Sequence, residues 1–159
     1  MSERMDGFVS EQLICLMYVC AEASPFNDEK LIDYLLTKRP RYHALEITGI
    51  LLYNKQTFVG VLEGPQDIVQ QVYKNICSDS RYKDPSILLI EPISHRHFRD
   101  WTMGFKPNDW LMAEITPGFN PMMRYPKWSH EDMGVCSGQM FQFLRNFRTG
   151  IEQSCAAEG

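Results

Sequence analysis

Two apolar runs, a polar turn between them and a Gly-Pro stop after the second leave the stretch from Ile47 to Asp79 with few ways to fold. Ile50-Leu51-Leu52-Tyr53 is too short for a free-standing helix, Asn54-Lys55-Gln56 supplies polar turn residues, and Thr57-Phe58-Val59-Gly60-Val61-Leu62 resumes the run. That pattern predicts a β-hairpin. Gly64-Pro65 ends the second strand, and proline fits the first turn of a helix, where its missing N–H is not needed. Ile68, Val69, Val72, Tyr73, Ile76 and Cys77 then recur at helical spacing, whereas Gln66, Gln70, Gln71 and Lys74 face water. The expected core unit is a helix laid over a hairpin.

The flanks extend this unit. Leu13 to Cys20 is apolar on both faces and reads as an interior strand. After the Ser24-Pro25 loop, Asn27 or Asp28 can cap a helix through Leu36, which Pro40 is expected to end. Ser86 to Glu91, between Pro85 and Pro92, predicts a fourth strand, and Trp101 to Lys106 a short fifth. The order β-α-β-β-α-β-β predicts an α+β, ferredoxin-like sandwich, with two helices on one face of a five-stranded mixed sheet.

Three segments follow: a loose arm at 1–11, a domain at 12–107, and an extension at 108–159. In the extension, Pro107 to Trp128 reads as an irregular segment held down by aromatics. Ser129 and Asp132 resemble a capping box for a C-terminal helix whose apolar side carries Met133, Met140, Phe141, Leu144 and Phe147, and which Gly134, Gly138 and Gly150 weaken. The bare second face of the sheet, or another subunit, is the expected docking place.

A length of 159 residues with 44% hydrophobic content suits one domain with a tail. The net charge of -4 and pI near 5.5 provide no global basic field, so neither nucleic acid nor an anionic membrane is an expected partner. No apolar run reaches the roughly 18 residues of a membrane span, and Met1 to Gln12 has no signal-peptide core, so a cytoplasmic protein is expected. Five cysteines without a C-x-x-C pair fit reduced thiols, with Cys15, Cys20 and Cys77 as small core residues. Two basic clusters, Lys38-Arg39-Arg41-His43 and His95-Arg96-His97-Arg99, read as solvated surface. His95 and His97 have no acidic or thiol group near them in sequence to complete a metal site. Glu63 and Asp79 do not make a catalytic pair by sequence alone, and no enzyme is expected.

The segments I-T-G-I-L-L-Y at Ile47–Tyr53, F-x-x-x-L-E-G at Phe58–Gly64 and W-x-M-x-F at Trp101–Phe105, in that order, resemble the BLUF family over about Leu13 to Lys106. These are blue-light sensors that hold FAD between the two helices of such a sandwich. The resemblance implies that Tyr18 stands where the family's tyrosine donates to the excited flavin, and that Trp101 and Met103 are the last-strand pair near its glutamine. The glutamine itself, two residues before the Leu of L-E-G, is replaced by Gly60. The family's flavin-holding asparagine position is Tyr42, and of its Arg-His pair only Arg81 matches, because Tyr82 follows.

Losing the amides removes three or four hydrogen bonds of about 1 kcal/mol each, which is roughly two to three orders of magnitude in affinity. Without the glutamine, Tyr18 is expected to act as a core residue, and Trp101 and Met103 fit simple packing. Tyr42 and Tyr82 are expected to fill the vacated cleft. The resulting expectation is a BLUF-fold signalling domain that works through protein contacts, a homodimer or another protein at the sheet face and C-terminal segment, with flavin binding weak or absent and no normal photocycle. The rival is a working FAD photoreceptor with an atypical pocket. A small hydrolase on the same sandwich is more distant, because the phosphate-cradling loop of acylphosphatases has no counterpart after the first strand.

Overall fold

A computed structural model describes residues 12–121 and 142–147. The expected arm at 1–11, the capping box at Ser129 and the glycines at 134, 138 and 150 lie outside the described residues. In chain order the elements are β1 (Leu13–Glu22), α1 (Asp28–Ala44), β2 (Thr48–Asn54), β3 (Thr57–Pro65), α2 (Gln66–Cys77), β4 (Tyr82–Pro92), β5 (Trp101–Phe105) and a short α3 (Trp110–Glu114). The five strands form one sheet in the order β4-β1-β3-β2-β5, with β5 parallel to β2 and the other pairs antiparallel. This is the expected ferredoxin-like sandwich with one strand added at the β2 edge.

The hairpin between β2 and β3 closes on Lys55 and Gln56, both with positive φ (48° and 71°). A two-residue turn of this hand matches the strand twist, and it normally favours Asn-Gly. Gly49, at the start of β2, is fixed by sterics: its φ is 144°, and a Cβ there would lie 1.8 Å from the Val61 carbonyl oxygen. Both α1 and α2 cover the same face of the sheet, where Leu31, Tyr34, Leu35, Tyr42, Val69, Val72 and Ile76 join the alternate residues Ile14, Leu16, Tyr18 and Cys20 of β1. The intervening β1 residues Cys15 and Met17 face the other way, into a second cluster with Ile50, Leu52, Val59 and Val61. Strand β1 is thus buried on both faces, as its unbroken apolar run requires. The second cluster includes Leu144, and Phe147 packs against it. Residues 142–147 are helical.

Four local expectations need correction. Helix α1 does not end at Pro40; it continues one turn to Ala44. Pro40 and Leu36, whose carbonyl the ring displaces, are both exposed, so water can take the lost bond while Tyr42 beyond them is buried. Strand β4 runs through Pro85 rather than starting after it, because β4 is an edge strand and a missing N–H on an edge breaks no ladder. Asp84 beside it has φ 53°, and the β1–β4 register shifts nearby between Val19 and Ala21. Cys77 is exposed, not core. The segment after Pro107 is not wholly irregular, since Asp109 caps α3 by accepting from the Met112 N–H at 3.0 Å. Asp28, at the start of α1, accepts from the backbone of Asn108 and Asp109 at 2.7 and 2.9 Å and pins this segment to the sandwich.

Candidate functional site

Register places the residues of interest. Across the helix-covered face, Met103, Leu51, Gly60 and Tyr18 lie side by side on β5, β2, β3 and β1. Tyr18 and Gly60 are therefore direct cross-strand neighbours, and Met103 lies two strands beyond Gly60. Trp101, two residues before Met103, falls on the same face. Four of the seven candidate positions thus come together on one patch beneath the helices.

What fills that patch is aromatic. The Tyr18 ring lies over Gly60, where an added Cβ would meet Tyr18 Cζ at 2.4 Å and its hydroxyl at 2.6 Å. Tyr42, on the last turn of α1, points inward and meets Trp101 edge-on at 4.9 Å between ring centroids. Tyr82, on the first residue of β4, is also buried and meets Phe58 at 5.3 Å and Tyr34 at 5.9 Å. Tyr34 in turn lies 6.3 Å from Trp101, so the rings form a continuous cluster. Tyr34 is the member that sequence reasoning missed; it read only as an apolar helix position, and nothing local marks it as the centre of a ring cluster.

Burial dominates the ionisation of these phenols. Tyr18, Tyr34, Tyr42 and Tyr82 all have pKa values raised above the usual tyrosine value, in each case mainly because a phenolate would be desolvated. The Tyr82 hydroxyl is buried without a hydrogen-bond partner. Arg81 does not enter the cluster. Its guanidinium is held by Asp79 through Nε at 3.0 Å and Nη2 at 2.6 Å, and it sits 5.0 Å above the Tyr34 ring. Arg81 lowers the Asp79 pKa, chiefly by that hydrogen bond. A cleft of about 390 Å³ remains between the helices, lined by Tyr34, Lys38, Arg41 and Tyr42 on one side and Asn75, Ile76 and Asp79 on the other. Lys38 has its pKa lowered by burial and then by Arg81.

A second polar centre sits at the other end of the sheet. Glu63, of the L-E-G segment, is fully buried and accepts from the backbone N–H groups of His97 and Phe98, each at 3.0 Å. The His97 Nδ1 lies 2.6 Å from the same carboxylate, and Thr48 Oγ1 at 3.3 Å. Arg96 Nη1 donates to Thr48 Oγ1 at 3.1 Å and to the Glu63 carbonyl at 3.0 Å. Arg96 and His97 are therefore clamp residues and not solvated surface, and the acidic neighbour of His97 is supplied by another strand. Among the described residues no group of three or more His, Cys, Asp or Glu side chains is placed to hold a metal ion.

A five-stranded mixed sheet with two helices over one face is a ferredoxin-like α+β sandwich, here with ring-bearing residues gathered beneath the helices. Residues 13–104 match the BLUF family, described as sensors of blue-light using FAD, and the chain belongs to that family. Among its relatives, the blue light- and temperature-regulated antirepressor BluF of Escherichia coli (strain K12) is 40% identical over 115 residues, covering 69% of this chain and 26% of the relative. The photoactivated adenylate cyclase subunit alpha of Euglena gracilis is 36% identical over 85 residues, covering 54% of this chain and 8% of that one. The chain thus spans only about a quarter or less of the length of these curated relatives. Of solved structures, the dark-state BLUF protein BlrB is 32% identical at a TM-score of 0.55, covering 59% of this chain and 71% of that one. The BLUF domain of BlrP1 is 25% identical at 0.62, covering 86% and 89%. No helix among the described residues is long and apolar enough to cross a membrane.

Proposed function

We propose that the chain is a BLUF-fold signalling module that acts through protein contacts, with flavin binding weak or lost and without the family's normal photocycle. One observation carries the reading: the Tyr18 ring occupies the space that any side chain at residue 60 would need, with 2.4 Å left for a Cβ. The amide that would switch its hydrogen bonds has no residue to supply it, and the Tyr18 side chain would have to move aside to admit one. Tyr42 supports the same reading, because its ring is packed on Trp101 at 4.9 Å and its phenol offers no amide to a flavin edge. The side chains present therefore do not fit an isoalloxazine ring held as in the family.

The second reading, an FAD photoreceptor with an atypical pocket, draws on the 390 Å³ cleft between the helices and the cations Lys38 and Arg41 at its mouth. The colour of the purified protein separates the two. A colourless preparation that takes up neither FAD, FMN nor riboflavin is expected; a yellow one with structured flavin absorption that shifts reversibly under blue light would overturn the proposal. Gly60→Gln combined with Tyr42→Asn should raise flavin affinity by two to three orders of magnitude.

In this reading residues 12–107 form the sensory unit and 108–159 an extension that engages the second face of the sheet. The packing of Leu144 and Phe147 there supports that assignment. The signalling contact is then a homodimer or a protein partner at that face and the C-terminal segment, which light scattering on size-exclusion fractions tests. The module itself carries no catalysis. An odd number of cysteines without a C-x-x-C pair supports a cytoplasmic location.

A further inference from the structure

The two basic clusters, far apart in sequence, meet on the side of α1 that faces away from the helix–helix cleft. Residues Leu36, Arg39, Pro40 and His43 follow i, i+3, i+4, i+7 spacing and share one face of the helix. Opposite them stand Arg96 and Arg99 from the β4–β5 connection, and the space between is a cavity of about 710 Å³. That volume is in the range of pockets that take drug-sized ligands. Ile47, Trp101 and Pro117 complete its apolar lining. Leu36 is 48% exposed, so a large apolar side chain stands open beside a group of cations in a chain whose net charge is -4.

Two of the cations are held, and not spent. Arg96 is fastened through Nη1 to Thr48 and the Glu63 carbonyl, part of the clamp around the buried Glu63 carboxylate. Arg39 donates through Nη1 to the Trp101 carbonyl at 2.8 Å, with Asp100 3.8 Å from its Nη2. The side chains of Arg99 and His43 make no hydrogen bond or ion pair among the described residues. Glu46, with φ 61°, stands on the rim. Apart from His43, the charged side chains that line the cavity are three guanidiniums and the carboxylates of Glu46 and Asp100, a formal excess of one positive charge that suits a single negative charge better than two.

We propose that this cavity binds a monoanionic organic acid with an apolar body. Its carboxylate is paired by Arg96 and Arg99, and its body lies against Leu36, Ile47 and Pro117. Fixed guanidinium forks favour carboxylates, and a donor already oriented by the fold loses little freedom on binding. Arg39 joins this site to the Trp101 backbone, and Trp101 to Tyr42, so occupancy reaches the aromatic cluster through one side chain.

The test is a titration of the full chain, ¹⁵N-labelled, with 4-phenylbutyrate as probe, followed by amide chemical shifts. Saturable shifts at residues 36–48 and 96–101 are expected. The uncharged 4-phenylbutanol should bind at least tenfold more weakly, and Arg99→Gln should weaken the acid about tenfold. Lys38→Gln, on the opposite face of α1, should leave it unchanged. Shifts that do not saturate, shifts centred on Asn75 and Asp79, or equal binding of the alcohol would overturn the proposal. So would tighter binding of inorganic phosphate than of the acid, because the apolar body would then contribute nothing. The readout involves no flavin, so its failure and that of the flavin reading are separable.

Discussion

The side of α1 that faces α2 is packed with rings and keeps only a cleft of about 390 Å³, whereas its opposite side borders a 710 Å³ cavity lined by guanidiniums. Both regions border the same helix, and they differ in the kind of force that shapes them. Aromatic packing is weakly directional, so rings such as Tyr18 can move into whatever space is left when a longer side chain is absent. The Glu63 clamp is directional, since each of its hydrogen bonds needs a donor at one place. It holds the β4–β5 connection at a fixed distance from α1. The larger cavity therefore stands beside the clamp, and only a smaller cleft is left beside the rings.

The sharpest way to break this contrast is Glu63→Ala. It would leave the N–H groups of His97 and Phe98 and the His97 ring without their acceptor in a buried place, at about 1–3 kcal/mol each, or roughly 5 kcal/mol together. Urea unfolding should show this loss, and a cost below about 1 kcal/mol would mean that the clamp does not hold the connection.

On the aromatic side the corresponding lever is pH. Tyr18, Tyr42 and Tyr82 keep their protons in the fold to higher pH than in the unfolded chain. Their contribution is fully present below the unfolded value of about 10 and is lost as pH rises above it, by about 1.4 kcal/mol per group at pH 11, or roughly 4 kcal/mol in all. Phenolate absorbance at 295 nm should appear together with loss of circular dichroism. Smooth ionisation of these residues in a folded protein would place them in contact with water.

How much of this could be read beforehand follows the same division. The hairpin, both helices and the order of elements along the chain were legible, because apolar periodicity and Gly-Pro punctuation are local signals. Pro40 and Pro85 misled, since a proline on an exposed helix face or an open edge breaks less than one in an interior. His97 read as solvated because its partner Glu63 lies 34 residues away, and the cavity was invisible for the same reason. Polar partnerships across the sheet leave no period in the sequence. The short α3 was hidden in a run of Pro, Gly and Asn whose capping aspartate, Asp109, looked like one more loop residue.

A smaller effect is expected from Gly60→Ala. The new methyl collides with the Tyr18 ring, and overpacking of this kind costs about 2 kcal/mol. In a Tyr18→Ala background the same change should cost little. A double-mutant cycle by urea unfolding should therefore return a coupling energy close to the single-mutant cost. Additive costs would mean that some other contact, and not the ring, fills the space above Gly60.

The smallest effect should have the opposite sign. The Tyr82 hydroxyl is buried among Phe58, Tyr34 and the sheet with no hydrogen-bond partner, an arrangement that costs a polar group its water without replacement. Tyr82→Phe removes the hydroxyl and keeps the ring, so stability should stay level or rise by up to about 1 kcal/mol, seen as a higher urea midpoint at unchanged slope. Loss of more than about 1 kcal/mol would mean that the hydroxyl is bonded after all, with Tyr34 the nearest phenol. The cluster would then be a polar network with its own geometry, and the distinction between a filled side and a framed side of α1 would narrow. A gain would mark the Tyr82 hydroxyl as a polar group buried at a net cost to the fold.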